Sequence, residues 1–449
     1  MTECSQETIE FSRLKSKKIQ SNFDGGTITS DAGAILLREV DKRLGLIDAM
    51  NNCIPDPRNP FFITHMQRSM LSQRIIGIAQ GYEDLNDHHT LRNDPLFQVV
   101  TERGVNPEVP LASTSTLWRL EDRITKKAMI DIVNVFVETF IQSHQTAPNQ
   151  IILDFDATDD PLHGQQEGRF FNGYYDCYCY LPLYVFCSDQ LLVPYLRPSN
   201  IDAAKHSWAI LKLLVQKFRD LWPDVRIIFR ADSGFCRWKM MRWCDEHGVY
   251  YVIGVAKNPV LLRKAGWLLQ QAEVQFKQMG VCQRLLGSIS YAAATWDRAR
   301  RVIVRVQYDH RGANPRFVVS NLPGSPEQLY DELYCQRGDM ENRIKEQQLW
   351  LFSDRTSSHD FLSNQFRLIL SSAAYILIDS LRRLGLEGTE LSRSQSGTIR
   401  LKLLKIGARV KVSVRRIVFY LSSGYPYQDL FRQVADRLQN VLPINFSFG

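Results

Sequence analysis

Apolar and polar positions recur along this chain with two periods, and the change falls near residue 150. Before it, apolar residues return every three to four positions, the spacing of the buried stripe of a helix. The stretch from Asp31 to Leu44 has this spacing and stops at Gly45, and further helices are predicted from Thr64 to Gln80 and from Ser115 to Ser143. Between them GYEDLNDHHTLRNDP is polar and reads as a loop, so the adjacent His88 and His89 share no helical face. ASTSTLWRLEDR has the pattern of a helix-turn-helix piece, with Ser115 as cap and Arg119 and Arg123 outward.

Beyond residue 150 the runs become short, β-branched and aromatic. IILDFDAT is bounded by the turn-prone TDDPLHGQQEG, and YYDCYCYLPLYVF (174–186) and LLVPYLR (191–197) complete three consecutive predicted strands. In the next segment Trp208, Leu211, Leu214, Val215, Phe218, Leu221 and Trp222 keep helical spacing. The strand RIIFRAD, a helix through KMMRWCDEHG and the strand YYVIGVA follow. The order β-β-β-α-β-α-β predicts an α/β fold, a mixed sheet flanked by helices, and it is the order of a ribonuclease-H-like core. That core is placed at 149–353, with a β-rich insertion at about 259–325 carrying RVIVRVQY and RFVVSNL. A helical segment (1–148) precedes it and an α+β region (354–449) follows. Further helices are predicted from Pro326 to Leu351, from His359 to Leu384 and from Gln428 to Leu438, with a Gly/Ser linker at 385–398.

Composition narrows the class. The 449 residues are 44% apolar and 23% charged, which excludes disorder and collagen-like repeats and suits roughly two to four domains. No run of 18 apolar residues occurs, so no membrane helix is expected. The opening MTECSQETIEFSRLKSKK lacks the apolar stretch of a secretory leader, and a cytosolic protein is expected. Nine cysteines, never spaced C-x-x-C, argue against structural zinc and against a disulfide framework; reduced, mostly buried thiols are expected.

Charge matters through its placement. The net +7 conceals an acidic stretch, residues 151–200, with two basic against seven acidic side chains. It also conceals a basic end, in which Arg400, Lys402, Lys405, Arg409, Lys411, Arg415 and Arg416 follow one another with no acid between. Such a run is either a solvated face or a strip that tracks nucleic-acid phosphates.

Three acids stand out by location. Asp156 lies on the first strand in D-A-T, with Asp154 two residues earlier on the same side of the sheet, and Asp232 ends RIIFRAD. Glu341 lies on the long helix. A carboxylate on a buried strand is costly unless paired or bound to a cation. Two strand-end aspartates with a helical glutamate alongside form an oxygen-donor set suited to Mg²⁺ or Mn²⁺. Two such ions serve phosphodiester chemistry. Either Asp154 or Asp156 fits the first position. On the helix, Tyr334, Arg337, Glu341, Lys345 and Gln348 are spaced to share one face, which suits a helix laid along a phosphate backbone.

These residues carry a resemblance. D-A-T at Asp156, ADSGF at Asp232 and Tyr-x-x-Arg-x-x-x-Glu ending in Glu341 resemble the DDE transposases of bacterial insertion sequences. More narrowly, they resemble the cut-and-paste group with the Tyr-Arg-Glu-Lys signature. FDGGTITSDAGAILLREVD, LDFDATDDPLHGQQEGRFFNGYYDCYCYLPLYVF and YCQRGDMENRIKE are similar to the insertion-sequence family numbered thirteen-eighty. The likeness runs from about residue 20 to 440.

The resemblance implies that Asp156, Asp232 and Glu341 bind two metal ions, and that Tyr334 and Arg337 contact phosphates at the element's ends. The group's Lys falls seven residues after the Glu, where this chain has Gln348; Lys345 is the nearest cation. In the insertion, Trp296 beside Arg298, Arg300 and Arg301 is the candidate to receive a flipped base. The helical segment and the basic residues Arg400, Lys402, Lys405, Arg409 and Lys411 are expected to bind double-stranded DNA, both terminal inverted repeats and target. A homodimer holding both ends is expected, without a membrane, in the bacterial cytoplasm and on the nucleoid. The competing readings are a nuclease that only hydrolyses and a domesticated DNA-binding protein without catalysis.

Overall fold

Ile151, Leu153 and Phe155 project from one side of strand β1 (Gln150–Ala157), and Ile152, Asp154 and Asp156 from the other. The first side is packed in the main core with Leu211, Phe218, Ile227 and Phe229. The second carries the chemistry. β1 lies inside an eight-stranded sheet whose remaining strands are β2 (Leu183–Cys187), β3 (Gln190–Tyr195), β4 (Arg226–Ala231), β5 (Tyr250–Val255), β6 (Gln283–Tyr291), β7 (Arg300–Asp309) and β8 (Gly312–Ser320). The order is β6-β7-β8-β5-β4-β1-β2-β3. β4 runs parallel to both β1 and β5, in register Arg230↔Asp154 and Ile228↔Tyr250; the outer pairings are antiparallel. Helices α1 (Ser207–Leu221), α2 (Trp238–Glu246) and α3 (Gly266–Met279) supply core residues on the apolar side. The result is a mixed α/β unit around a large mixed sheet.

The residues expected to interrupt the core instead extend its sheet. β8 pairs antiparallel with β5, and β6 and β7 continue outward from it. The predicted strand 174–186 is two strands. Cys177–Tyr180 joins a small sheet with Asp160–Pro161 and Phe170–Asn172, while β2 begins after Pro182, a residue with no N–H for a ladder. The long predicted helix is irregular at its start. Gln328–Tyr334 is a π-helical stretch, Cys335–Arg337 a tighter 3-10 turn, and regular α4 spans Gly338–Leu351. The face drawn from Tyr334 to Gln348 is therefore not the face of one uniform helix.

The structure describes residues 8–106 and 108–440, which divide into one unit of residues 129–372 and another formed by 1–128 with 373–449. In the second unit the two ends of the chain fold together. Strand Ile28–Thr29 pairs with Ala408–Ser413, which pairs in turn with Arg416–Leu421. Helix Ile35–Leu44, closed by Gly45 at φ 66°, packs on helix Gln428–Asn440. Helix Gln67–Ala79 is buried almost all round. The helix expected over 115–143 is two, Thr114–Asp122 and Lys126–Gln142, and the capping hydroxyl is Ser113, not Ser115. His88, expected in a loop, opens a short helix and is buried against Gln73 and Arg74; burial drives its pKa down to about 3.

The apolar helix expected near the end is α5 (Phe361–Leu381). With its continuation to Leu386 it is long and apolar enough to cross a membrane, and 83% of its most apolar window is buried inside the protein. Cys179, Cys187 and Cys244 are buried thiols and Cys282 and Cys335 are exposed; Cys4 lies outside the described residues.

Candidate active site

The acids on the polar side of the sheet are not equivalent. Asp154 is taken by Arg230, directly opposite on β4, which grips both carboxylate oxygens. The remaining Arg230 nitrogen donates to the Leu333 carbonyl at 2.6 Å, tying the π-helical stretch to the sheet. A buried ion pair held by two parallel bonds fixes position. Asp154 is thus held by a cation of the neighbouring strand.

Asp156 lies two residues on, where β1 ends. Burial pushes its carboxyl up to about 7; Arg337 opposes this, while Asp232 and Glu341 add to it. Its Oδ1 accepts the Ala157 N–H at 2.9 Å. Its Oδ2 accepts from Arg337 Nη1 at 3.1 Å, and Arg337 Nη2 donates to Glu341 Oε1 at 2.5 Å. One guanidinium therefore spans two carboxylates drawn from β1 and α4. Asp232 follows β4 directly and caps the next turn, accepting the Gly234 N–H at 2.9 Å. Parallel pairing of β4 with β1 explains why both aspartates emerge at the same sheet edge.

Tyr334 completes the cluster through a residue that has no side chain. A Cβ on Gly254 of β5 would stand 2.6 Å from the Tyr334 hydroxyl and 2.9 Å from the Ser233 backbone nitrogen. Only glycine leaves that space. Gly254, Arg230 and Tyr175, whose hydroxyl donates to the Ala157 carbonyl at 3.3 Å, belong to this neighbourhood but are not among the residues expected from sequence. Gly254 and Arg230 had a legible signal, a glycine and a charge inside apolar strand runs.

Among the described residues, no three acidic, histidine or cysteine side chains stand in a metal-holding group. The donor set is nonetheless of the right kind, carboxylate oxygens at a sheet edge, and Arg337 sits in the cationic position between two of them. Residues 11–443 match the family described as Transposase DDE domain group 1. The chain belongs to the DDE transposases. It is thereby an enzyme of DNA transposition. Among curated proteins none matches the sequence. One solved structure to which it is similar is a piggyBac transposase synaptic complex with hairpin DNA, determined by cryo-EM. The TM-score is 0.45, with 12% identity over 94% of this chain and 87% of that one.

The transposase treats the other expected residues differently. Gln348, at the signature Lys position, donates to the Asp159 carbonyl and to Asp160 Oδ1, both at 3.1 Å, and Asp160 is fully buried with its carboxyl pushed well up by burial. Lys345 is exposed on α4. Trp296 packs edge-on against Tyr291 at 5.2 Å, with the Arg300 guanidinium 5.8 Å from its ring. Arg300, expected to contact DNA, has a buried guanidinium held by Asp245, Asp297 and the Tyr251 hydroxyl. Arg301 donates to the Gly324 carbonyl at 2.9 Å.

In the other unit the basic run divides. Arg400, also expected to contact DNA, is buried and donates to the Ala79 carbonyl at 2.8 Å. Lys405 pairs with Asp31 at 2.6 Å and lies 4.1 Å from the centre of the Tyr82 ring, and Lys402 lies over Tyr427. Arg409, above Tyr420, and Lys411 are exposed on the strand Ala408–Ser413.

Proposed function

We propose that this transposase cuts and joins DNA at the ends of its own mobile element, with Asp156, Asp232 and Glu341 as its catalytic carboxylates on a ribonuclease-H-like core. The observation that carries the reading is the Arg337 bridge. It gathers Asp156 and Glu341, residues far apart in the chain, beside Asp232. The element belongs in the insertion-sequence family numbered thirteen-eighty, on the motifs D-A-T, ADSGF and Tyr334-x-x-Arg337-x-x-x-Glu341, with Gln348 replacing the signature Lys.

Asp156, Asp232 and Glu341 would hold the divalent ions, Mg²⁺ or Mn²⁺. When bound, such ions supply Lewis-acid activation and neutralise charge on the phosphate oxygens. Every other task falls to the chain. The Asp154–Arg230 pair holds β1 and β4 in register, so that Asp156 and Asp232 keep a fixed separation. Gly254 lets Tyr334 lie against the turn after Asp232, where its hydroxyl can donate to a phosphate oxygen. Arg337, once released from the acids, offers a planar fork to the phosphate next to the cleaved bond. The exposed Arg409 and Lys411 contribute affinity that does not depend on sequence. The chain would recognise terminal inverted repeats, pair two ends as a homodimer and act on the bacterial nucleoid.

The test is cleavage of a duplex carrying the element's end, in Mg²⁺, by wild type and by Asp232→Asn. Wild type is expected to nick the end and to join it to a second duplex; Asp232→Asn is expected to do neither. Equal cutting by the variant would overturn the carboxylate assignment. Cutting without joined products would leave a hydrolytic nuclease.

A further inference from the structure

Two of the most exposed large apolar side chains stand side by side far from the acids in the chain. Phe61 and Phe62 are 93% and 83% exposed, and Met66, four residues on, is 63% exposed. Water-exposed phenylalanines on a flexible tail mean little, but this pair sits on a braced turn. Pro60 opens the turn, Asn59 Oδ1 accepts the Phe61 N–H at 3.1 Å, and the Phe62 N–H reaches the Asn59 carbonyl at 3.0 Å. Gln67, first residue of the buried helix Gln67–Ala79, donates to the Ile54 carbonyl at 2.8 Å and accepts from Arg123 at 2.5 Å. The two rings thus stand on a hydrogen-bonded turn shortly before that buried helix.

The surroundings are cationic. Arg58 donates to the His65 carbonyl at 2.9 Å and Arg103 to the Thr64 carbonyl at 2.8 Å. Burial first, and then the nearby charges of Arg103, Arg92 and Arg58, lower the pKa of His65 in this loop. Asp56 neutralises part of this charge through Arg58 and Arg123, leaving a surplus. An apolar protein partner would gain nothing from such a rim. A polyanion with stacked bases would use both parts: arginines for its phosphates and apolar wedges for a base step.

We infer that Phe61 and Phe62 form a wedge that enters the base stack of bound duplex DNA, with Arg92 and Arg103 on the flanking phosphates. This rests on the reading that the chain binds DNA, and it assigns the distortion of that DNA to a loop outside the acidic cluster. The wedge separates one base step, and the stacking lost there is replaced by contact with the rings.

The experiment uses the full-length protein and a duplex from the DNA flanking its gene, with 2-aminopurine at successive positions. Wild type is expected to raise the fluorescence at one or two adjacent positions, the mark of an unstacked base. Phe61→Ala/Phe62→Ala is expected to abolish the rise and weaken binding by roughly tenfold or more. The salt dependence of binding stays unchanged, because no cation is removed. Phe61→Trp/Phe62→Trp is expected to restore both signals. An undiminished rise in the double alanine variant overturns the wedge. A sedimentation shift in that variant without any change in fluorescence overturns it in favour of contact with a second copy. Absence of binding by wild type would sink the DNA reading itself, and the wedge with it.

Discussion

Arg337 Nη1 lies 3.1 Å from Asp156 Oδ2, across 181 residues of sequence, and the same guanidinium holds Glu341. A cation entering between these acids must displace it. Arg337→Ala is therefore expected to tighten Mn²⁺ binding to the metal-free protein by about tenfold, since two charge-assisted hydrogen bonds no longer need breaking. Calorimetric titration without DNA measures this. Unchanged or weaker affinity would show that the bridge does not compete with the metal. The same variant is expected to lose affinity for end DNA.

Asp156 makes stability depend on pH in a predictable sense. Burial first raises its carboxyl from the ordinary 3.8 to about 7. Between those values the folded protein keeps a proton that the unfolded chain has released. Stability from this group is therefore present at low pH and falls as pH rises through that window. Metal-free Asp156→Asn is expected to exceed wild type in unfolding free energy near pH 8 by roughly 1–3 kcal/mol, and to match it near pH 4. Thermal denaturation across pH reads the difference, and parallel melting curves would count against a raised carboxyl.

Arg230 is the sole cation bonded to Asp154 among the described residues. Arg230→Met leaves that acid buried and unpaired, and is expected to cost about 3–5 kcal/mol. Arg230→Met/Asp154→Leu is expected to recover most of the loss, because an apolar pair needs no charge compensation. Urea denaturation of the two variants compares them; a double variant as weak as the single would refute the pairing account.

Gly254→Ala places a methyl group 2.6 Å from the Tyr334 hydroxyl and 2.9 Å from the Ser233 nitrogen. Displacing Tyr334 or the turn after Asp232 is expected to reduce end cleavage on the order of a hundredfold. Adding Tyr334→Phe removes the nearer clash and is expected to recover stability more than cleavage, since the Ser233 backbone still meets the methyl. Wild-type cleavage by Gly254→Ala would show that this contact has no bearing on the site.

Much of the fold was legible because strand and helix periods depend on local spacing. The runs at 150–157, 207–221, 226–231 and 250–255 fall where alternation or helical spacing predicts them. Errors cluster where a local pattern has two solutions. YYDCYCYLPLYVF alternates in part and reads as one strand, yet Pro182 breaks its ladder and the halves lie in different sheets. The arginine run beginning at Arg400 looks uniformly solvated, yet Arg400 finds a buried carbonyl at Ala79, a partner that periodicity cannot reveal.

By itself the sequence determined the succession of core strands and helices along the chain, the acids at the ends of two of those strands and the Tyr-Arg-Glu spacing, because each is a short-range regularity. Only the tertiary structure decided which cation each acid meets. Asp154 and Asp156 are alike in type and in side of the strand; they differ because Arg230 stands opposite one and Arg337 reaches the other. It also decided that the β-rich segment extends the sheet and that the chain's two ends fold together. Those outcomes depend on contacts between residues distant in sequence, and no local spacing encodes which partner will be opposite.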